Sequence, residues 1–156
     1  MVLVVGVLVA AMMVRNQELS SLRLAVVPAP FASSADCARL LVALPEKLDG
    51  GELGALERRE LAAPAPVGAA AWGEPPVVLR CGMDRPAELT ATSRLLAVSG
   101  AQFLEIASPG TSTWVAVDRP VYVVVDLPPA SGSGPLQQIA NVIANTLPQK
   151  NVDVLR

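Results

Sequence analysis

The chain has 156 residues, a net charge of −2 and no histidine. That length holds one ordinary domain plus an appendage, with enough core to fold without a metal or a dense set of disulfides. The charge balance excludes the basic footprint of a nucleic-acid binder, and the missing histidine removes the commonest neutral-pH base and metal ligand.

Residues 1–14 (MVLVVGVLVAAMMV) carry no charged side chain, and Arg15 closes the run. As a helix this run spans roughly 20 Å, short of the roughly 30 Å hydrocarbon core of a bilayer. Three readings compete. The run is an uncleaved membrane anchor whose true start lies upstream, a cleaved secretion signal, or a buried element of the domain. The signal reading lacks a basic leader and a small-x-small cleavage site. The buried-element reading is weakest, because the run is apolar on every face and has no turn signals. The expected division is anchor or signal over 1–15, linker over 16–32, and an extracytoplasmic domain over 33–150.

Pro28-Ala29-Pro30 breaks regular structure ahead of the domain. Ser33 and Asp36 have the spacing of a capping box and predict a helix starting at Ser33. Leu40, Leu41, Leu44 and Leu48 continue it on one face. Pro45 should kink it or split off its last turn, and Gly50-Gly51 should end it. Residues 52–73 are irregular, with Leu53 to Leu61 a short helix or an edge strand.

Strand signals follow. Val77–Cys81 is the first. Leu95–Val98 and Ala101–Ile106 flank Ser99-Gly100, a two-residue hairpin loop. Trp114–Val117 and Val121–Leu127 flank Asp118-Arg119-Pro120, which reads as another hairpin connection. In the last strand Val121, Val123, Val125 and Leu127 share one face, as suits an antiparallel sheet with one side on a core. Pro135 fits the first turn of a terminal helix. Leu136, Ile139, Ala140, Ile143 and Leu147 then form one stripe. The expected fold class is α+β, an antiparallel sheet of about four strands with two helices on one face.

Cys37 lies at the start of the first predicted helix and Cys81 at the end of the first predicted strand. Paired, they would staple the two elements and place the domain outside the cytosol. Such a loop contributes roughly 4 kcal/mol in the chain-entropy model. The rival reading is a reactive thiol at Cys37, its pKa lowered by the helix N-terminus. Asp36 opposes that, and no histidine exists as partner base. Two cysteines alone cannot complete a structural zinc site, so no metal or other cofactor is expected.

Three further residues are candidates for ligand or partner contact. Trp72 either plugs the edge of the core or stacks on a ligand. Arg80 and Arg119 either pair with a carboxylate such as Asp84, Asp118 or Asp126, or recognise an anion. The carboxylates show no spacing that announces a catalytic pair, since separation in space decides that. No catalytic residue is nominated.

Three blocks carry a family resemblance. They are Cys37-x-x-Leu40-Leu41-x-Ala43-Leu44-Pro45, then Ala71-Trp72-Gly73-Glu74-Pro75-Pro76-Val77-Val78-Leu79-Arg80-Cys81-Gly82, then Val117-Asp118-Arg119 before a valine-rich strand. Over roughly residues 33–148 the chain resembles an actinobacterial family catalogued as domain of unknown function 3515. The second block is the specific one. The resemblance implies a small secreted or single-pass membrane protein of the cell envelope and implies no activity. Members of that family usually carry a fuller basic-plus-apolar leader, which fits a start truncated here.

The expected function is therefore a membrane-anchored binding or accessory module on the extracytoplasmic face, or a secreted one if the leader is cleaved. Its partners would be the membrane, through the N-terminal segment, and an envelope protein or cell-wall material, with no nucleic acid. The alternative is a hydrolase or other enzyme acting on envelope material through carboxylates.

Overall fold

The computed structural model describes residues 20–154. The segment expected to be an anchor or signal lies outside the described residues. Helix α1 (Ala35–Ala43) is followed by two short strands, β1 (Lys47–Asp49) and β2 (Ala55–Glu57), paired as an antiparallel ribbon. The main sheet has six strands, β3 (Ala69–Trp72), β4 (Val77–Met83), β5 (Leu95–Val98), β6 (Ala101–Ser108), β7 (Thr111–Ala116) and β8 (Tyr122–Leu127). Helix α2 (Gly134–Thr146) closes the fold. The strand order is β3-β4-β8-β7-β6-β5, with every neighbouring pair antiparallel.

The class is α+β as expected, but the main sheet has six strands rather than about four. Relative to the strand runs expected from sequence, one strand is extended and one, Ala69–Trp72, is added. The strand Thr111–Ala116 starts earlier than Trp114, because Pro109-Gly110 makes a hairpin turn that pairs Ser108 with Thr111. The alanine-rich segment Ala69–Trp72 lacks the branched residues that usually mark a strand. It nonetheless pairs along β4 from Arg80 to Val77.

Helix α1 is capped by Ser34, one residue later than the sequence indicates, its hydroxyl accepting the amide of Cys37 at 3.3 Å. Pro45 ends this helix rather than kinking it. Leu44, the residue before it, is extended (φ −66°, ψ 139°), as steric conflict with a following proline requires. Leu48 then reaches the core from β1 and not from a helix. Pro135 stands in the first turn of α2, and the whole predicted stripe from Leu136 to Leu147 is buried. Ser99 (φ 45°) and Gly100 (φ 86°) are both left-handed, the geometry of a type I′ two-residue hairpin.

The main core lies between the helices and one sheet face. Leu40 of α1 and Leu44 just after it meet Ile139 and Ile143 of α2 over Leu79, Cys81, Phe103, Val123 and Val125. Each fully buried aliphatic side chain contributes on the order of 1.5–3 kcal/mol. The opposite face carries a smaller cluster of Leu89, Leu104, Val115 and Val117, with Val152 of the C-terminal segment against it.

Residues 20–32, expected to be linker, run along the domain. Leu22 bridges Leu61, and the amide of Phe31 donates to the Gly82 carbonyl at 3.0 Å. At that crossing Gly82 has φ +83°, and a Cβ there would land on the Phe31 carbonyl and the Ala32 amide. Gly82→Ala is therefore expected to destabilise by about 2–3 kcal/mol, from left-handed strain plus backbone overlap. A urea titration checks this. A midpoint unchanged from wild type would show that the crossing yields freely.

Candidate functional site

Cys37 and Cys81 are joined by a disulfide, with the Cα atoms 5.6 Å apart and neither residue exposed. The bond ties α1 to β4, the strand beside the sheet centre. The reactive-thiol reading of Cys37 falls, since both sulfurs are committed to this bond.

The three other candidates are held apart. Trp72 is fully buried, and its indole N–H donates to the Pro45 carbonyl at 2.9 Å. The Arg58 guanidinium lies 5.5 Å from its ring centroid, a cation–π contact that covers the ring further. Its place is the edge of the core, and no face of it is presented to a ligand. Arg80 lies on the sheet face away from the helices, 3.5 Å from Asp126 and 3.4 Å from the Ala25 carbonyl.

Arg119 is buried beside Asp118, which is only 1% exposed. Its guanidinium donates to the Gly100 carbonyl at 2.7 Å and to the Asp118 carbonyl at 3.1 Å. It also stands 3.4 Å from the Asp118 carboxylate. That distance is within ion-pair range, but the alignment makes no hydrogen bond, so both carboxylate oxygens lack a hydrogen-bond partner among the described residues. Of the carboxylates considered from sequence, Asp118 and Asp126 are thus the ones that pair with the two arginines.

Two concavities flank the tip formed by Pro128 and Pro129. On the face away from the helices, a hollow of about 540 Å³ is lined by Pro75, Pro76, Thr113 and Asp126. Asp126 accepts a 2.6 Å hydrogen bond from the Thr113 hydroxyl and pairs with Arg80, so its carboxylate is already engaged. On the helix side, a pocket of about 340 Å³ lies between β7 and the first turn of α2. Its wall is Val98, Trp114, Leu127, Leu136 and the two prolines, with Ser112, Ser133 and Gln137 at its polar edge. No charged side chain lines it.

Alternation along β7 puts Trp114 on the helix side, as with its neighbour Ala116 in the main core. The ring stands edge-on to Phe103, centroids 6.4 Å apart at 72°. This arrangement favours aromatic pairs and fixes the indole. Trp114 is the residue that reasoning from sequence overlooked. Its position in a strand was legible, but whether a helix covered that strip of sheet was not. Among the described residues no cluster of three or more histidine, cysteine, aspartate or glutamate side chains could hold a metal ion. Also among them, no helix is long and apolar enough to cross a membrane.

One family model, described as Protein of unknown function (DUF3515), matches residues 1–152. The match extends beyond the span carried by the three sequence blocks. No curated protein and no solved structure matches the chain.

Proposed function

The chain belongs to the DUF3515 family, and for it we propose a non-enzymatic accessory module of the cell envelope. It would be anchored or exported through its apolar N-terminal run, with the domain outside the cytoplasm. The observation that carries the reading is the fully buried Cys37–Cys81 disulfide. Structural disulfides persist in oxidising compartments and are rare in reducing ones. The uncharged run over residues 1–14 supports the same location independently.

Binding rather than catalysis is supported by the two concavities. The pocket beside α2 is apolar and carries no carboxylate. The hollow on the other face carries one, Asp126, held by Thr113 and Arg80. Asp118 is sealed in the interior beside Arg119. Glycoside hydrolysis by carboxylates needs two groups flanking one bond, and neither concavity offers that pair.

Thiol labelling of protein taken directly from intact cells tests the location. No labelled thiol before reduction and two after is the expected result. Two labelled thiols without reductant would defeat the extracytoplasmic reading. Crosslinking in intact envelopes should recover a partner that depends on the folded domain. Hydrolysis of a cell-wall fragment by the purified chain would overturn the non-enzymatic reading.

A further inference from the structure

The two edges of the main sheet differ. Along β3 the Arg59 amide donates to the Ala71 carbonyl at 2.8 Å and the Gly73 amide to the Glu57 carbonyl at 2.9 Å, so residues 57–59 cover that edge. Strand β5 is bonded on one side to β6, and on its other side no backbone group is bonded among the described residues. Proline, charge and bulges are the devices that blunt an open edge. Residues 95–98 (Leu-Leu-Ala-Val) hold no proline and no charge, and their register with β6 runs without a shift.

The hairpin fixes which groups of β5 face outward. Its two-residue loop makes Val98 and Ala101 a hydrogen-bonded pair, and such pairs alternate along an antiparallel ladder. Leu96 therefore bonds to Phe103, while Leu95 and Ala97 turn their N–H and C=O groups away from β6. The neighbouring strand agrees. Gln102, opposite Ala97, accepts the Val117 amide at 3.0 Å on the β7 side. The open edge thus offers the donor and acceptor of Leu95 and those of Ala97, one residue to either side of Leu96.

We propose that β5 pairs antiparallel with β5 of a second copy, with the twofold axis at Leu96. In this register Leu95 of each chain exchanges both hydrogen bonds with Ala97 of the other, so every outward group of the edge is satisfied. The two Leu96 side chains meet as a non-hydrogen-bonded pair, the closer kind. They meet on the helix side, where Phe103 and Val98 join the main core. On the other face each Leu95, packed against the smaller cluster, meets the small, exposed side chain of Ala97. A foreign strand would need the same alternation of large and small side chains, whereas a second copy supplies it. Such self-complementarity defines an isologous contact. Because the β3 edge is covered, assembly stops at two copies. Two four-residue strands bury less than the roughly 1,200–2,000 Å² of a standard interface, so the dimer should be weak and concentration-dependent.

Sedimentation of the full chain in mild detergent, over a series reaching high micromolar concentration, should show monomer passing to dimer and nothing larger. Ala97→Pro removes an outward amide without touching a bond to β6, and should leave the chain monomeric at every concentration. Ala97→Lys is the second blocking variant should the first unfold by circular dichroism. Leu96→Cys should form a covalent dimer under mild oxidation about tenfold faster than Ala97→Cys, since only position 96 faces its own copy at cross-strand distance. A monomer at all concentrations, a dimer that survives in a folded blocking variant, or equal crosslinking at positions 96 and 97 would each overturn the proposal. So would assembly beyond two copies, or a Leu96→Cys crosslink to a different protein in intact envelopes. Protection of that thiol in a monomeric chain would also overturn it, by placing another segment of the same chain on the edge.

Discussion

Replacing Arg119 with methionine is expected to destabilise the domain by about 3–5 kcal/mol, because it strands a buried carboxylate. Asp118 is 1% exposed and Arg119 5% exposed, so neither charge can turn to water without opening the β7–β8 connection. The arginine also holds the Gly100 carbonyl at 2.7 Å, tying that connection to the β5–β6 turn. Replacing both members, Asp118→Leu with Arg119→Met, should recover most of the loss, since a buried pair often exchanges for apolar residues at little cost. Urea denaturation of the single and double variants separates the causes. If the double variant is as unstable as the single one, the bond to Gly100 matters and the charge does not.

Removing the disulfide should have an effect of similar size. Cys37 and Cys81 are 44 positions apart, and closing a loop of that length contributes about 4 kcal/mol through the unfolded chain. Small domains have total stabilities on the order of 5–15 kcal/mol, so the Cys37→Ala, Cys81→Ala double variant should show a large fall in its urea midpoint. Reduction of the wild type should be slow under native conditions, because neither sulfur is exposed and the reductant must wait for an opening. Adding sub-denaturing urea should accelerate it. A variant that keeps its midpoint to within about 0.5 kcal/mol would show that packing around α1 suffices without the bond.

The sequence readings that held are those with a strict physical period. The valines of β8 alternate because one side of that strand faces the helices, and all four expected residues are buried there. The stripe of α2 and the Ser99-Gly100 turn were legible for similar reasons. The errors cluster where an element is too short to show a period. Leu48 stands four residues after Leu44, which suits a helix, yet a three-residue strand buries it equally well. Ala69–Trp72 is held by its pairing with β4 and not by its own propensity. The candidate pocket was illegible for a different reason. Alternation tells which side of the sheet Trp114 faces, but the reach of α2 across that side is a long-range fact.

The disulfide also sets how the domain would carry a mechanical load. Tension applied at the N-terminal end would first peel residues 20–31 from their bonds to Glu60, Leu61 and Gly82. It would then reach Cys37 and pass covalently to Cys81 in β4. Everything between those two positions, including the β1–β2 ribbon, β3 and Trp72, would be bypassed. A pull from that end would therefore be resisted by the hydrogen bonds of β4 with β8 near the sheet centre, and the first helix could not be drawn out on its own.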